Sequence, residues 1–280
     1  MFQPATTTEP DRHAESRDIW NLNAHFWIEH FGAEGNDFHR VLVAPAAERL
    51  LALKGGEHVL EVSCGSGLFA RRIIDLGAES VVAFDYSKVF VDEARKRNEG
   101  YEDKIEFLVL DATDEQAMVR ELMPRSGKKG FDKALSNMAI MDISDITPLF
   151  RALRTLLNPG AQFIATLMHP AFNHPDSVRG VEQFDLPNGE TVKRTYIKAH
   201  EYLGARPVKG IGIPGQAHAH WYFPRSLHDI FNIAFGAGFV VDGFEEAAWN
   251  REEGEEKNLT PSWKDMTKLP PVVAIRFRVL

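Results

Sequence analysis

Between His58 and Ala70 the chain reads HVLEVSCGSGLFA. An apolar run ends in Gly65-Ser66-Gly67, and Ala70 completes a G-x-G-x-x-A spacing. Glycines at that spacing let a backbone turn tightly and approach a ligand closely. Asp85 ends the next apolar run, SVVAFD, where a carboxylate can accept both hydroxyls of a ribose. Asp111, in VLDATD, can accept from an adenine amino group while the amide of Ala112 meets a ring nitrogen. The chemistry on offer is recognition of a nucleoside.

The glycine spacing and Asp85 fit NAD and a methyl donor equally well. Three features separate the two. Glu61 lies inside the first strand, four residues before Gly65, where a buried carboxylate needs a cationic or polar partner. A diphosphate would be repelled there; a ligand with an ammonium and a sulfonium would be attracted. Asp111 with Ala112 is the second feature. The third is the C-terminal order of helix, strand, loop and strand, which suits a sheet closed by an antiparallel pair. An NAD-dependent oxidoreductase should also carry a Tyr-x-x-x-Lys pair or similar hydride-site chemistry, and none follows the fourth or fifth apolar run.

A second group of residues could act on an acceptor. His169 follows the fifth strand at its C-terminal edge, and a histidine there can serve as general base near neutral pH. In QAHAHWYF, extended backbone would put His218, His220 and Tyr222 on one face and Ala219 with Trp221 on the other. His220 and Asp142, the latter just after the fourth strand, are the further candidate bases. His218, Tyr222, Trp221 and Asp142 are candidate substrate contacts. His-x-His can also ligate zinc or iron with His200 or His174 as a third ligand. No second spaced motif or acidic partner supports that, and no metal is expected.

These residues need elements to hold them. Residues 1–15 read as a flexible polar tail and 16–54 as an N-terminal helical lid, with Ser16 as a helix N-cap and a break or restart at Pro45. Trp20, Asn23 and Trp27 could cover the cofactor or pack as core. Residues 55–168 alternate five strands with four helices, which predicts a doubly wound, mostly parallel α/β sheet. Residues 169–223 are rich in His, Pro and Gly and read as an inserted cap over the site. Residues 224–280 supply a helix and the last strands, giving a seven-stranded sheet of Rossmann-like form.

LEVSCGSGLFA, VVAFDYS, LVLDAT and NPGAQFIATL, taken in this order, resemble the class I S-adenosylmethionine-dependent methyltransferases of small-molecule type. The resemblance covers about residues 55–168 and, more loosely, the final strands. It implies that Glu61, Gly65 and Gly67 surround the methionine part of the cofactor. It implies that Asp85 holds the ribose, that Asp111 and Ala112 hold the adenine, and that Asn137 lines the methionine side. Tyr86 and Trp20 are counted with the same cofactor shell. The activity implied is methyl transfer from S-adenosylmethionine to O, N, C or S of a small metabolite. A non-methylating scaffold or cyclisation catalyst on the same fold is the alternative.

Composition narrows the partners. A net charge of -8 with no Lys/Arg-rich block disfavours a nucleic-acid partner. No run approaches the length of a membrane span, and the single cysteine, Cys64, is compatible with a reducing compartment. A cytoplasmic enzyme acting on a small-molecule acceptor is expected, and the reading admits a homodimer.

Overall fold

The alternating apolar and amphipathic runs form strands and helices in a computed structural model that describes residues 11–127, 130–250 and 259–280. Five parallel strands make the centre: β1 (His58–Val62), β2 (Ser80–Asp85), β3 (Ile105–Val109), β4 (Phe131–Asn137) and β5 (Leu157–Met168). Two small antiparallel pairs follow, β6 (Val178–Asp185) with β7 (Thr191–Lys198) and β8 (Val208–Gly210) with β9 (His220–Tyr222). Strands β10 (Phe239–Ala247) and β11 (Val272–Val279) return to the main sheet as an antiparallel pair, with β11 against β5. The order is β10-β11-β5-β4-β1-β2-β3. Winding reverses between β1 and β4, so their C-terminal ends open the crevice where such sheets bind ligands.

Among the described residues seven α-helices flank the sheet: α1 (Arg12–Phe31), α2 (Ala44–Leu51), α3 (Leu68–Asp75), α4 (Lys88–Arg97), α5 (Glu115–Leu122), α6 (Thr147–Leu156) and α7 (Leu227–Gly236). Both faces of β1 are buried, which is why HVLEV reads as nearly continuous apolar sequence. Its side chains alternate between two cores. Val59 packs with Phe69, Ile73 and Val91 of α3 and α4. Leu60 and Val62 pack with Leu149, Phe150 and Leu153 of α6.

Four local expectations are corrected or refined. The tail does not extend to residue 15: α1 begins at Arg12, and residues 1–10 lie outside the described residues. Asp11, not Ser16, is the N-cap, its carboxylate accepting from the amides of His13 (3.1 Å) and Ala14 (3.2 Å). Pro45 marks a restart of the chain's second helical run rather than a break. It sits in the first turn of α2, where its missing N–H costs nothing, directly after a π-helical turn over His39–Val43. Asn158-Pro159-Gly160, turn-forming residues that read as the close of the preceding helix, do not separate helix from strand. They bulge inside β5, where pairing jumps from Phe131↔Leu157 to Lys133↔Gln162 and Asn158 Nδ2 holds Asp132 Oδ1 at 3.0 Å.

The turn after β1 depends on two glycines in different ways. Gly67 has φ +74°, and a Cβ there would lie 2.7 Å from Asn98 Nδ2, 2.9 Å from Phe107 Cζ and 3.0 Å from Ala94 Cβ. Gly65 has φ +53° with nothing within 4 Å of an added Cβ. Gly67→Ala should therefore cost about 2–5 kcal/mol, from the left-handed backbone and overpacking together. Gly65→Ala should cost only about 1–2 kcal/mol, from backbone alone. Equal costs in urea melts of the two variants would contradict this.

Candidate functional site

At the C-terminal ends of β1 and β4 lies a cavity of about 890 Å³. Two non-glycine residues with left-handed backbone flank it, Ser63 (φ 54°) after β1 and Met138 (φ 53°) after β4. Such strain of about 1–3 kcal/mol per residue is common where a site is built. Glu61, Gly65, Asp85, Tyr86, Asp111, Ala112, Asn137 and Trp20 all line this one cavity. Gly67 stands behind it as the N-cap of α3.

Three carboxylates shape the cavity's β1–β3 side. Glu61 is 2% exposed, and its Oε2 has no hydrogen-bond partner among the described residues. Burial, and Asp85 nearby, push its carboxyl well above the usual range. Asp85 accepts from the Ser87 amide (2.9 Å) and the Gly65 amide (3.0 Å), yet burial still raises it to about 6. Asp111 accepts from the Thr113 amide and hydroxyl, both at 2.8 Å, and its Oδ2 lies 2.6 Å from His13 Nε2. His13 also bridges to the Ser144 hydroxyl at 3.1 Å.

Asn137 does not present a free amide. The Thr166 hydroxyl donates to its Oδ1 at 2.7 Å, and its Nδ2 donates to His39 Nε2 at 2.9 Å. His39 is therefore the group that this chain of bonds orients at the cavity wall. Its proton rests on Nδ1, which has no partner among the described residues. Burial, with Arg72 nearby, lowers it to about 4.

The insert supplies the opposite wall. His220 and Tyr222 share the inner face of β9, with ring centroids 4.4 Å apart, and both line the cavity. Trp20 of α1 packs 4.7 Å from the His220 ring. Asp142 reaches the same space from the loop after β4. Arg225 holds that loop by donating to the carbonyls of Ile140, Ile143 and Ser144.

Three expected contacts are not at the cavity. His169 is buried, but its Nδ1 accepts from the amides of Ala171 and Phe172 and its Nε2 meets Glu246 at 2.9 Å. Both ring nitrogens serve the chain, so His169 has none left for a base's work. His218 precedes β9 rather than extending it, and its side chain is exposed. Trp221 points to the outer face, where its Nε1 donates to Glu15 (2.8 Å) and Lys209 lies over its ring. Among the described residues no group of three or more His, Cys, Asp or Glu is placed to hold a metal. His200 is exposed, while His174 lines the cavity with Nδ1 held by the Asp176 amide at 3.2 Å.

His13 and His39 belong to these walls, Gln216 stands behind them against His220, and none of the three carries a motif. Each is a lone polar residue whose partner is distant in sequence or hidden in the insert, so spacing alone could not mark it.

Residues 59–160 match a family model described as a methyltransferase domain. No curated relative matches the chain. Solved structures share the fold. An S-adenosylmethionine-dependent methyltransferase from Mesorhizobium loti is 21% identical, with a TM-score of 0.59 over 88% of this chain and 100% of that one. The magnesium protoporphyrin IX methyltransferase of Synechocystis, solved with bound SAH, is 13% identical, with a TM-score of 0.56 over 96% and 100%. The cyclase SpnF is 17% identical, with a TM-score of 0.50 over 84% and 79%. Residues 59–160 thus resemble a methyltransferase domain, and the chain has the fold that these solved structures share.

The depressed His39 has a measurable consequence. A histidine whose folded value is lowered favours folding above about 6.5 and loses that advantage as pH falls towards 4. Between pH 7 and 5 its share of stability should fall by about 2 kcal/mol. His39→Gln should lose that much less than the parent over the same interval in denaturant melts. Parallel losses in the two proteins would contradict it.

Proposed function

We propose that the chain binds S-adenosylmethionine over the β1 turn and directs its methyl group to a small acceptor in the same cavity. The observation that carries this reading is Glu61, a buried carboxylate with an unpartnered oxygen at the cavity wall. A ligand that brings a cation satisfies it; a diphosphate does not. The Gly65 amide, which a dinucleotide's phosphates would need, is already given to Asp85. The domain model over residues 59–160 supports the same reading.

The bound cofactor supplies a sulfonium methyl open to in-line displacement. The chain's part is to bind, align and exclude water. Asp85 accepts from the ribose hydroxyls, and the Gly65 surface leaves room for the ligand's close approach. Asp111 and the Ala112 amide meet the adenine edge, with His13 steadying Asp111 from α1. Tyr86, Trp20 and His39 complete the cofactor wall, His39 held by Asn137. The acceptor lies towards Tyr222, His220 and Asp142, under α1 as a lid and residues 169–223 as a cap. The aromatic lining there suits a flat or apolar molecule. No described helix is long and apolar enough to cross a membrane.

Calorimetry with S-adenosylhomocysteine tests the site. Binding at micromolar affinity is expected, with none for NAD. Asp85→Ala should weaken it at least tenfold, since a lost charge-assisted bond costs about 1.5–3 kcal/mol. Ribose hydroxyls donate to the ionised carboxylate, so binding draws Asp85 below its free value of about 6. Affinity should then fall about tenfold from pH 7 to pH 5, with Glu61 acting in the same direction. NAD binding without a response to the methyl donor would sink the reading. Tight binding with no transfer of labelled methyl into a metabolite extract would favour a non-methylating scaffold.

A further inference from the structure

The surroundings of His220 decide where its proton sits. The Gly212 amide donates to Gln216 Oε1 at 3.2 Å, which identifies the oxygen end of that side chain. Gln216 Nε2 donates to the His218 carbonyl (2.5 Å) and to His220 Nδ1 (2.9 Å). With Nδ1 accepting, the neutral ring keeps its proton on Nε2. A ring occupied at Nδ1 and protonated at Nε2 has no lone pair to offer an acceptor. The His220 N–H instead lies 3.9 Å from Asp142 Oδ1, an electrostatic neighbour beyond hydrogen-bond range. That oxygen has no hydrogen-bond partner among the described residues. Asp142 keeps 13% of its side chain exposed and lines the cavity.

Resting on the methyl-transfer reading above, we propose that Asp142 is the general base, with His220 and Gln216 as positioning residues, and that the acceptor is a neutral, apolar or aromatic molecule bearing a hydroxyl. The hydroxyl oxygen forms the new O–C bond as the C–S bond breaks with its electron pair left on sulfur. The hydroxyl proton passes to Asp142, so the donor's positive charge leaves as that proton. A thiol ionises near neutrality without help, and an ammonium would pair with the carboxylate rather than yield to it. A weakly acidic hydroxyl on an apolar frame is the acceptor that a sheltered carboxylate serves.

The groups facing Asp142 leave its ionisation in its own hands. From β9 come His220, lowered by burial to about 4, and Tyr222, raised by burial. From the turn after β2 comes Tyr86, also raised by burial. From α1, Trp20 packs on His220, and His13 bonds Ser144 two residues along the loop. His220 and the two tyrosines are neutral near pH 7, and burial lifts Asp142 well above the ordinary carboxylate range. The active form is the carboxylate, so turnover should rise with pH along a limb above that range.

Three measurements on the full chain test this. Nitrogen NMR of labelled histidine should show His220 as the Nε2–H tautomer at pH 7, reversed in Gln216→Glu and mixed in Gln216→Met. Carbon NMR should show a carboxyl, absent from Asp142→Asn, that titrates above the ordinary range. With labelled S-adenosylmethionine and a metabolite extract, the label should appear as a methoxy group. Asp142→Asn should cut that transfer at least 100-fold while S-adenosylhomocysteine affinity stays within threefold. Gln216→Met should lower it about tenfold and move the pH limb. An Nδ1–H tautomer, an active Asp142→Asn, or label on sulfur or nitrogen overturns the proposal. A parent chain that binds the cofactor but transfers nothing overturns the methyl-transfer reading and the base with it. The two NMR results then still report whether the pair is built as described.

Discussion

Burying carboxyl groups around one cavity is the constraint on which the rest of this structure depends. Glu61 stands on a strand covered on both faces, Asp85 closes the next strand, and Asp142 sits in the loop after β4. Desolvation disfavours the charge on each. The fold answers only part of that cost. Asp85 receives two backbone amides, whereas Glu61 and Asp142 each keep an oxygen without a partner. A chain that folds in spite of these groups holds open space for ligands that can satisfy them.

Rigid neighbours keep that space in shape. The left-handed backbone at Ser63, Gly65 and Gly67 turns the chain from β1 into α3 while the Gly65 amide is drawn towards Asp85. On the other side of the switch point, Met138 takes the same conformation, and its amide donates to the Thr166 hydroxyl at 3.0 Å. Thr166, Asn137 and His39 continue that line of bonds to the cavity wall. Each link is at least partly buried and directional, so the wall is set before a ligand arrives.

Helix α1 and the insert are joined at the cavity's outer side. Asn23 donates to the His218 carbonyl at 2.7 Å, and Glu15 receives Trp221 and Lys209. Trp20 covers His220. Residues that looked like ligand contacts, Trp221 and His218, here tie the two covers together. Their sequence pattern was polar and aromatic on an extended segment, but β9 is only three residues long, so alternation places His220 and Tyr222 inward and Trp221 outward.

The sequence alone determined the sheet and the β1–β3 side of the cavity. Apolar runs buried on both faces, glycines with required left-handed backbone and acids at strand ends are local signals, readable from residue type and spacing. Glu61, Gly65, Asp85 and Asp111 accordingly sit where their motifs predict, around one cavity. Tertiary structure alone decided which histidines have free nitrogens. His169 is tied to Glu246, 77 residues away, and His39 to Asn137, 98 residues away. His220 is set by Gln216, whose own orientation depends on a bend at Gly212. A proton's place on an imidazole follows from hydrogen-bond partners in space, and no periodicity along the chain encodes them.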